Sequence, residues 1–541
     1  MRICVLSRCF SVWFLALFLI APFAGGAVAM DLRQAIEARI ESGEGGGLGD
    51  DDDERMLRVH DFYRERNFAP IWTTDSGAAD KARTLIQLLH NAHLEALHPN
   101  SYRADILRDL ISASDAETLS ALELVLSKAL IDYGRDLGSG TVVPNKVNKD
   151  VFIFPKGPTP EGLLARAANT DNIAGLVETL KPQTPNYARL RAGLARYREW
   201  AQQGGWGTVP DGEVLKPGME QERVPALRAR MVSGGDLPQD KVAESEAAGN
   251  TYDPVLVDAV KHFQYRHGID QDGVVGPATL ASLNTPIETR VRQMEVNMER
   301  RRWMEDDLGE RYIFVNLADQ FLKVVKNGKT VHTALTVVGK TYHSTPVFSK
   351  KMKYIVINPY WNVPSSIARK EYLPKLRRDP GYLLRQNIHV LRGGSKVDPY
   401  AVNWSSVSSA AFPFRLRQDP GKKNALGRIK FMFPNRFNVY IHDTPAKSLF
   451  AKSKRVFSHG CIRVQDPPKL AEVLLQDQGW SLPRVKNQIT SGKKRIVNLK
   501  KPIPVHITYL TAWVNKDGSV HFREDVYGRD KRLSAALGLS L

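Results

Sequence analysis

Val456-Phe457-Ser458-His459-Gly460-Cys461-Ile462-Arg463, with Phe437-Asn438-Val439-Tyr440-Ile441-His442 shortly before it, is the part of the chain from which the rest can be read. In the earlier run apolar residues alternate at Phe437, Val439 and Ile441, the period of a strand with one buried face. His442 then points to the other face with Tyr440 and Asn438, where a base lining a cleft belongs. Cys461 is the candidate nucleophile, because a thiol gains reactivity when a neighbouring imidazole or positive field favours its thiolate. Gly460 lets the backbone approach a substrate closely, so the amides of Gly460 and Cys461 are candidate donors to the oxygen of a tetrahedral intermediate.

The 541 residues hold three cysteines, Cys4, Cys9 and Cys461. The first two fall in an N-terminal stretch with Arg2 and Arg8, an apolar run over 10–23 and the small residues Ala27-Val28-Ala29. That pattern predicts a secretory signal, residues 1–29. The competing reading is an uncleaved anchor in the inner membrane, since the apolar run nears the roughly 20 residues that span a bilayer. On either reading the bulk of the protein is exported, and Cys461, left alone, cannot close an internal disulfide. The formal charge is +18, or +16 without Arg2 and Arg8. In a cytosolic protein this would suit nucleic acid; export excludes that partner and leaves an anionic envelope polymer or plain solubility.

At about 150 residues per domain the chain should form three or four units, and its pattern is that of a multidomain α+β protein. Residues 30–55 read as a flexible linker: helical spacing to Ile40, then Gly43-Glu44-Gly45-Gly46-Gly47-Leu48-Gly49 and the acidic run from Asp50 to Glu54. Residues 56–214 read as a helical scaffold, with Leu85, Leu88 and Leu89, and Leu122, Val125, Leu126 and Ile131, at helical spacing. Residues 215–286 form a small helical module, in which Asp253-Pro254 starts a helix closed by Gly268 and a second helix begins near Pro277. His262 and His267 in that module are five apart, off any common helix face, and are assigned solvated or packing roles rather than zinc. Thr285-Pro286-Ile287-Glu288 has the form of a capping box opening a connector helix, 287–310, whose Arg300-Arg301-Arg302 run reads as a solvated end.

From residue 311 to 541 the pattern is strand-rich. Asn327-Gly328 marks a hairpin. A strand over 353–358 precedes an irregular, basic segment, 364–420, of the kind that inserts into a β domain as a lid. Residues 424–431 return to strand, and late strands over 503–514 and 519–522 complete the sheet. For His442, His459 and Cys461 three readings stand side by side: a zinc site lacking a fourth ligand, ordinary packed residues, and a thiol/imidazole pair. The context favours the pair, with no metal and no organic cofactor.

His442, a spacer of fifteen residues, and Ser458-His459-Gly460-Cys461-Ile462-Arg463 match the active-site signature of the L,D-transpeptidases, whose catalytic domain is of the YkuD type. The run from Ala259 to Gly268, with Asp272-Gly273-Val274-Val275-Gly276-Pro277-Ala278-Thr279-Leu280, resembles the peptidoglycan-binding module of cell-wall enzymes. As a whole the chain resembles the large, YcbB-like members of Gram-negative bacteria, in which the 364–420 insertion would be a substrate-capping lid. The resemblance implies that Cys461 is the nucleophile and His442 the proton donor and acceptor. It implies that Asp443 orients the imidazole through its backbone carbonyl. Ser458, His459, Gly460 and Arg463 would shape the loop, supply the oxyanion hole and hold a substrate carboxylate, beside Tyr440. The implied reaction is acyl transfer in the periplasm. A tetrapeptide stem of peptidoglycan loses its terminal D-alanine to give a Cys461 thioester, and an acceptor amine then takes the acyl group, giving 3,3-cross-links. Carbapenem-type β-lactams would acylate the same thiol, and cell-wall synthesis proteins are candidate partners of the scaffold. The alternatives are a wall-peptide hydrolase using the same pair, and a non-catalytic wall-binding scaffold.

Overall fold

The computed structural model describes residues 30–43 and 54–539. The expected signal and the glycine-rich, acidic part of the linker lie outside the described residues. No helix among the described residues is long and apolar enough to cross a membrane.

The C-terminal unit is built on a nine-stranded sheet: β1 Arg311–Asn316, β2 Phe321–Lys326, β3 Lys329–Gly339, β4 Phe348–Ile357, β5 Ile429–Met432, β6 Ile441–His442, β7 Val456–Ser458, β8 Ile462–Val464 and β9 Arg495–Thr508. Their order is β7-β3-β8-β6-β5-β4-β9-β1-β2, and a further pairing of β2 with β3 closes the sheet on itself. Asn327 and Gly328 both take positive φ, 51° and 71°, as the two-residue hairpin between β2 and β3 requires. Inward-facing Ile313, Val315, Leu322, Val324, Ile355, Phe431 and Ile441 fill the core. The helix Pro467–Leu475 covers it with Leu470 and Leu474.

The other two units are helical. In the scaffold, the long helix Ala116–Ser139 carries Leu122, Leu126 and Leu130 into one core. The module's helix Pro254–His267 is capped by the Asp253 carboxylate, which accepts from the Leu256 amide at 2.9 Å, and ends at Gly268 with φ 68°. His267 is buried and stacks on Phe263 at 3.8 Å, while His262 bonds Asp236 at 2.8 Å. The units interlock rather than hang from tethers. Arg266 of the module pairs with Asp236 and donates to the Val520 carbonyl of the C-terminal unit at 3.2 Å.

Several expectations are corrected. The linker assigned to 30–55 begins with a helix, Leu32–Glu41, whose Leu32, Ile36 and Ile40 belong to the scaffold core. The capping box at Thr285 is not made: helix Ile287–Arg302 begins after Pro286 without a side-chain cap, and Thr285 donates instead to the Ala281 carbonyl. The arginine run at its end is buried, not solvated, and Arg300 and Arg302 meet acceptors from distant parts of the chain. Arg302, 1 % exposed, pairs with Glu299 at 3.0 Å and lies against Tyr187 and the Glu95 carbonyl. Arg300 pairs with Asp530 at 2.5 Å.

The 364–420 segment is a folded subdomain rather than an irregular excursion. Three of its strands, Ile388–Arg392, Ser395–Val397 and Arg415–Gln418, form a four-stranded sheet with Trp361–Asn362 just before it, and its core includes Leu373, Leu376, Ile388, Val390, Trp404 and Leu416. The late strands are divided: β9 joins the main sheet, whereas Ala512–Val514 and Val520–Phe522 form a separate hairpin packed on helices Pro185–Gln202 and Ile287–Arg302. The strand expected over 424–431 starts only at Ile429, after Gly427 turns the chain at φ 61°. The strand expected over 437–442 is reduced to Ile441–His442. Asn438 takes φ 54°, and the Asn435 side chain captures the amides of Phe437 and Val439 at 3.0 and 3.2 Å, which diverts them from a ladder.

Candidate active site

Three adjacent strands place one residue each in a single row. Lys430 on β5 is the antiparallel partner of His442 on β6, and His442 is the parallel partner of Arg463 on β8. Cys461 stands one residue before β8. Tyr440 lies just before β6, its ring 5.6 Å from the His442 imidazole, with the Lys430 ammonium 3.7 Å from the ring centre. The structure therefore brings Tyr440, His442, Cys461 and Arg463 together, and adds Lys430.

His442 is more enclosed than a cleft wall would make it, being 4 % exposed. Its Nδ1 lies 2.5 Å from the carbonyl oxygen of Asp443. A carbonyl only accepts, so Nδ1 carries the proton and Nε2 is left as the basic nitrogen. Burial, reinforced by the positive charges of Arg463 and Lys430, pushes its pKa down to about 3, so the imidazole is neutral at ordinary pH. The Asp443 carboxylate has separate work. It accepts from the amides of Arg428 and Thr444, each at 2.7 Å, and pairs with Lys447, which fixes the corner that presents its carbonyl.

Cys461 keeps part of its surface open. Its thiol donates to the Asn438 carbonyl at 3.7 Å, and no hydrogen bond joins it to His442 among the described residues. Burial raises the thiol's pKa, against the opposing effects of hydrogen bonds from Tyr440 and the charges of Lys430 and Arg463. Both cations lack an ion-pair partner among the described residues, and the Arg463 Nε is buried without an acceptor. Burial lowers the pKa of each, and the Cys461 sulfur is the anion that opposes this.

The loop itself is held from within. Buried Ser458 donates its hydroxyl to the Cys461 carbonyl at 2.5 Å and accepts from the Gly460 amide at 3.1 Å. The Gly460 amide is thus engaged in the loop, a correction to its role as an oxyanion donor; the Cys461 amide has no acceptor among the described residues. Gly460 sits at φ 108°, where a side chain would be strained, and its carbonyl accepts from Thr345 at 2.9 Å. His459 points away from the row, toward the insertion, where its Nε2 lies 2.9 Å from Glu371.

Lys430 and Glu371 were not singled out from the sequence. A signal for Lys430 was present, since it is the polar member between Ile429 and Phe431 on a strand that returns next to His442. Glu371 gave none, because its contact depends on how the insertion folds back.

Against known families, residues 310–498 match the YkuD model, described as an L,D-transpeptidase catalytic domain. Over these residues the chain is similar to that family. The matched region spans the row, the loop and the insertion. Residues 58–194 match a scaffold domain, and 235–283 a family described as "Putative peptidoglycan binding domain". A Haemophilus influenzae protein named "Putative L,D-transpeptidase" is 34 % identical over 254 residues, 47 % of this chain and 51 % of that protein. The chain thus matches about half the length of that relative. Solved L,D-transpeptidases from Xylanimonas cellulosilytica and Stackebrandtia nassauensis align at 16 % and 15 % identity, with TM-scores of 0.18 and 0.22. They cover 55 % and 58 % of this chain and 98 % of each structure.

Proposed function

We propose that the protein is a peptidoglycan L,D-transpeptidase that acts in the Gram-negative periplasm by cysteine-dependent acyl transfer. The observation that carries this reading is the row Lys430, His442, Arg463 with Cys461 beside it: a thiol next to a neutral, oriented imidazole and two cations without counter-ions among the described residues. The match of that region to a transpeptidase catalytic domain supplies the reaction class, and the wall-binding match supplies the polymer.

The thiol is protonated at rest. As the sulfur attacks the carbonyl of the third residue of a tetrapeptide stem, its proton passes to Nε2 of His442, which its tautomer leaves free to accept. The tetrahedral oxygen faces the Cys461 amide, and Arg463 holds a stem carboxylate through its forked donors. Collapse breaks the peptide bond, the proton on His442 goes to the departing D-alanine amine, and a thioester remains. An acceptor amine from a second stem then attacks, gives its proton to His442 and takes the acyl group, leaving the thiol restored and a 3,3-cross-link formed. The folded insertion, resting on His459 through Glu371, shields the thioester from water. Purified protein incubated with tetrapeptide stem and an amine acceptor should release D-alanine and give the cross-linked dimer. Free tripeptide acid as the sole product, at every acceptor concentration, would establish the hydrolase instead.

A further inference from the structure

The site holds more positive charge than a thiol and an imidazole need. Lys430 is largely buried, stands over the Tyr440 ring at 3.7 Å and forms no ion pair among the described residues. Its strand register fixes it next to His442, and Tyr440 beneath it lies within electrostatic reach of the Cys461 sulfur. A buried ammonium without a counter-ion costs stability unless something negative is to form beside it. The groups that face it are Tyr440 and His442 on the β6 side, Val356 on β4, and Cys461 with Arg463 on the β8 side. Of these only the sulfur becomes an anion during reaction. The same two cations oppose a lasting positive charge on His442.

We propose that Lys430 is a positioning residue that, together with Arg463, holds the negative charge of the Cys461 thiolate, so that His442 carries the proton in transit and is not the counter-ion of the thiolate. When the S–H bond breaks, the electron pair stays on sulfur in the field of two fixed cations, and the proton moves on through His442. The idea rests on Cys461 being the reactive thiol of the function proposed above. It differs from a thiolate–imidazolium pair in which residue sets the thiol's titration.

Alkylation of Cys461 by iodoacetamide in the full chain, followed by peptide mass against pH, reads this without any wall substrate. Lys430→Met should slow alkylation at pH 7 about tenfold, the effect of removing one nearby charge. Lys430→Arg, which keeps the cation, and His442→Gln should each stay within about twofold of the parent. A Lys430→Met profile superimposed on the parent overturns the proposal. So does Lys430→Arg falling as far as Lys430→Met, which would assign the residue a packing role, or His442→Gln falling as far, which would make the imidazole the counter-ion. Circular dichroism verifies folding of each variant, and Lys430→Gln takes the place of Lys430→Met if the latter does not fold. Acyl-adduct formation with a tetrapeptide stem is measured separately. Its absence in the parent defeats the functional reading whatever the alkylation profiles do, while its presence beside unchanged profiles defeats only the role of Lys430.

Discussion

Glu371, on the insertion, and His459, on the loop that presents Cys461, meet at 2.9 Å, and this contact ties the 364–420 subdomain to the turn that bears Cys461. Both side chains are partly exposed, so the pair is worth at most about 1 kcal/mol. Its importance is positional. Glu371→Gln should leave the melting temperature nearly unchanged while loosening the cover over the thioester. The share of hydrolysed product relative to transferred product should rise a few-fold in acceptor-competition assays. An unchanged ratio would mean that the insertion does not shield the intermediate through this contact.

The stability of the protein should depend on His442 in acid. Its folded pKa is pushed down to about 3 from an ordinary 6.5, so its neutral form is fully compatible with the fold above pH 6.5. As pH falls below that value the unfolded chain takes up a proton that the folded site refuses, and stability is lost progressively toward pH 3. Between pH 6.5 and 4.5 this single group costs about 2–3 kcal/mol. His521 is depressed in the same direction, also to about 3. Urea unfolding at the two pH values should show a smaller loss for His442→Gln than for the parent.

Gly427 offers a test of the corner that orients the imidazole. It takes φ 61°, and a Cβ there would fall 2.3 Å from the Asp443 carboxyl carbon. Gly427→Ala should therefore displace Asp443 and the carbonyl that holds His442 Nδ1. The expected cost is about 1–3 kcal/mol in stability, with a loss of turnover of at least about tenfold while Cys461 remains alkylatable.

How far the sequence could be read follows from what each residue's role depends on. Cys461 and His442 can be singled out from the count of cysteines and a local alternation without any tertiary knowledge, although only Ile441–His442 of that alternation forms a strand. The hairpin at Asn327-Gly328 and the caps at Asp253 and Gly268 were legible for the same reason, since each is a matter of a few neighbouring residues. The internal fold of the insertion was not: Leu376, Ile388, Val390 and Trp404 are widely spaced, and their common core forms only when short strands pair across it. Arg302 reads as solvated because charge usually signals solvent, whereas Glu299 on its own helix and Tyr187 and the Glu95 carbonyl from distant parts of the chain meet it. The engagement of the Gly460 amide by Ser458 likewise depends on a turn that composition alone does not specify.

The burial of Arg302 gives a further expectation. Arg302→Ala leaves Glu299, 1 % exposed, without its cation, and should destabilise the protein by about 3–5 kcal/mol in denaturant unfolding. Arg302→Met combined with Glu299→Gln removes both charges and should recover much of that loss. If the single and double variants are equally unstable, the pair does not set the energy of this junction.

The most direct test of the account is the intact mass of the protein after brief mixing with a tetrapeptide stem at neutral pH, without acceptor. The account predicts an increase equal to the stem less its terminal D-alanine, localised to Cys461, abolished in Cys461→Ala and discharged by an added amine. Absence of any adduct on folded protein, with both the stem and a carbapenem, or an adduct that persists in Cys461→Ala, would contradict it.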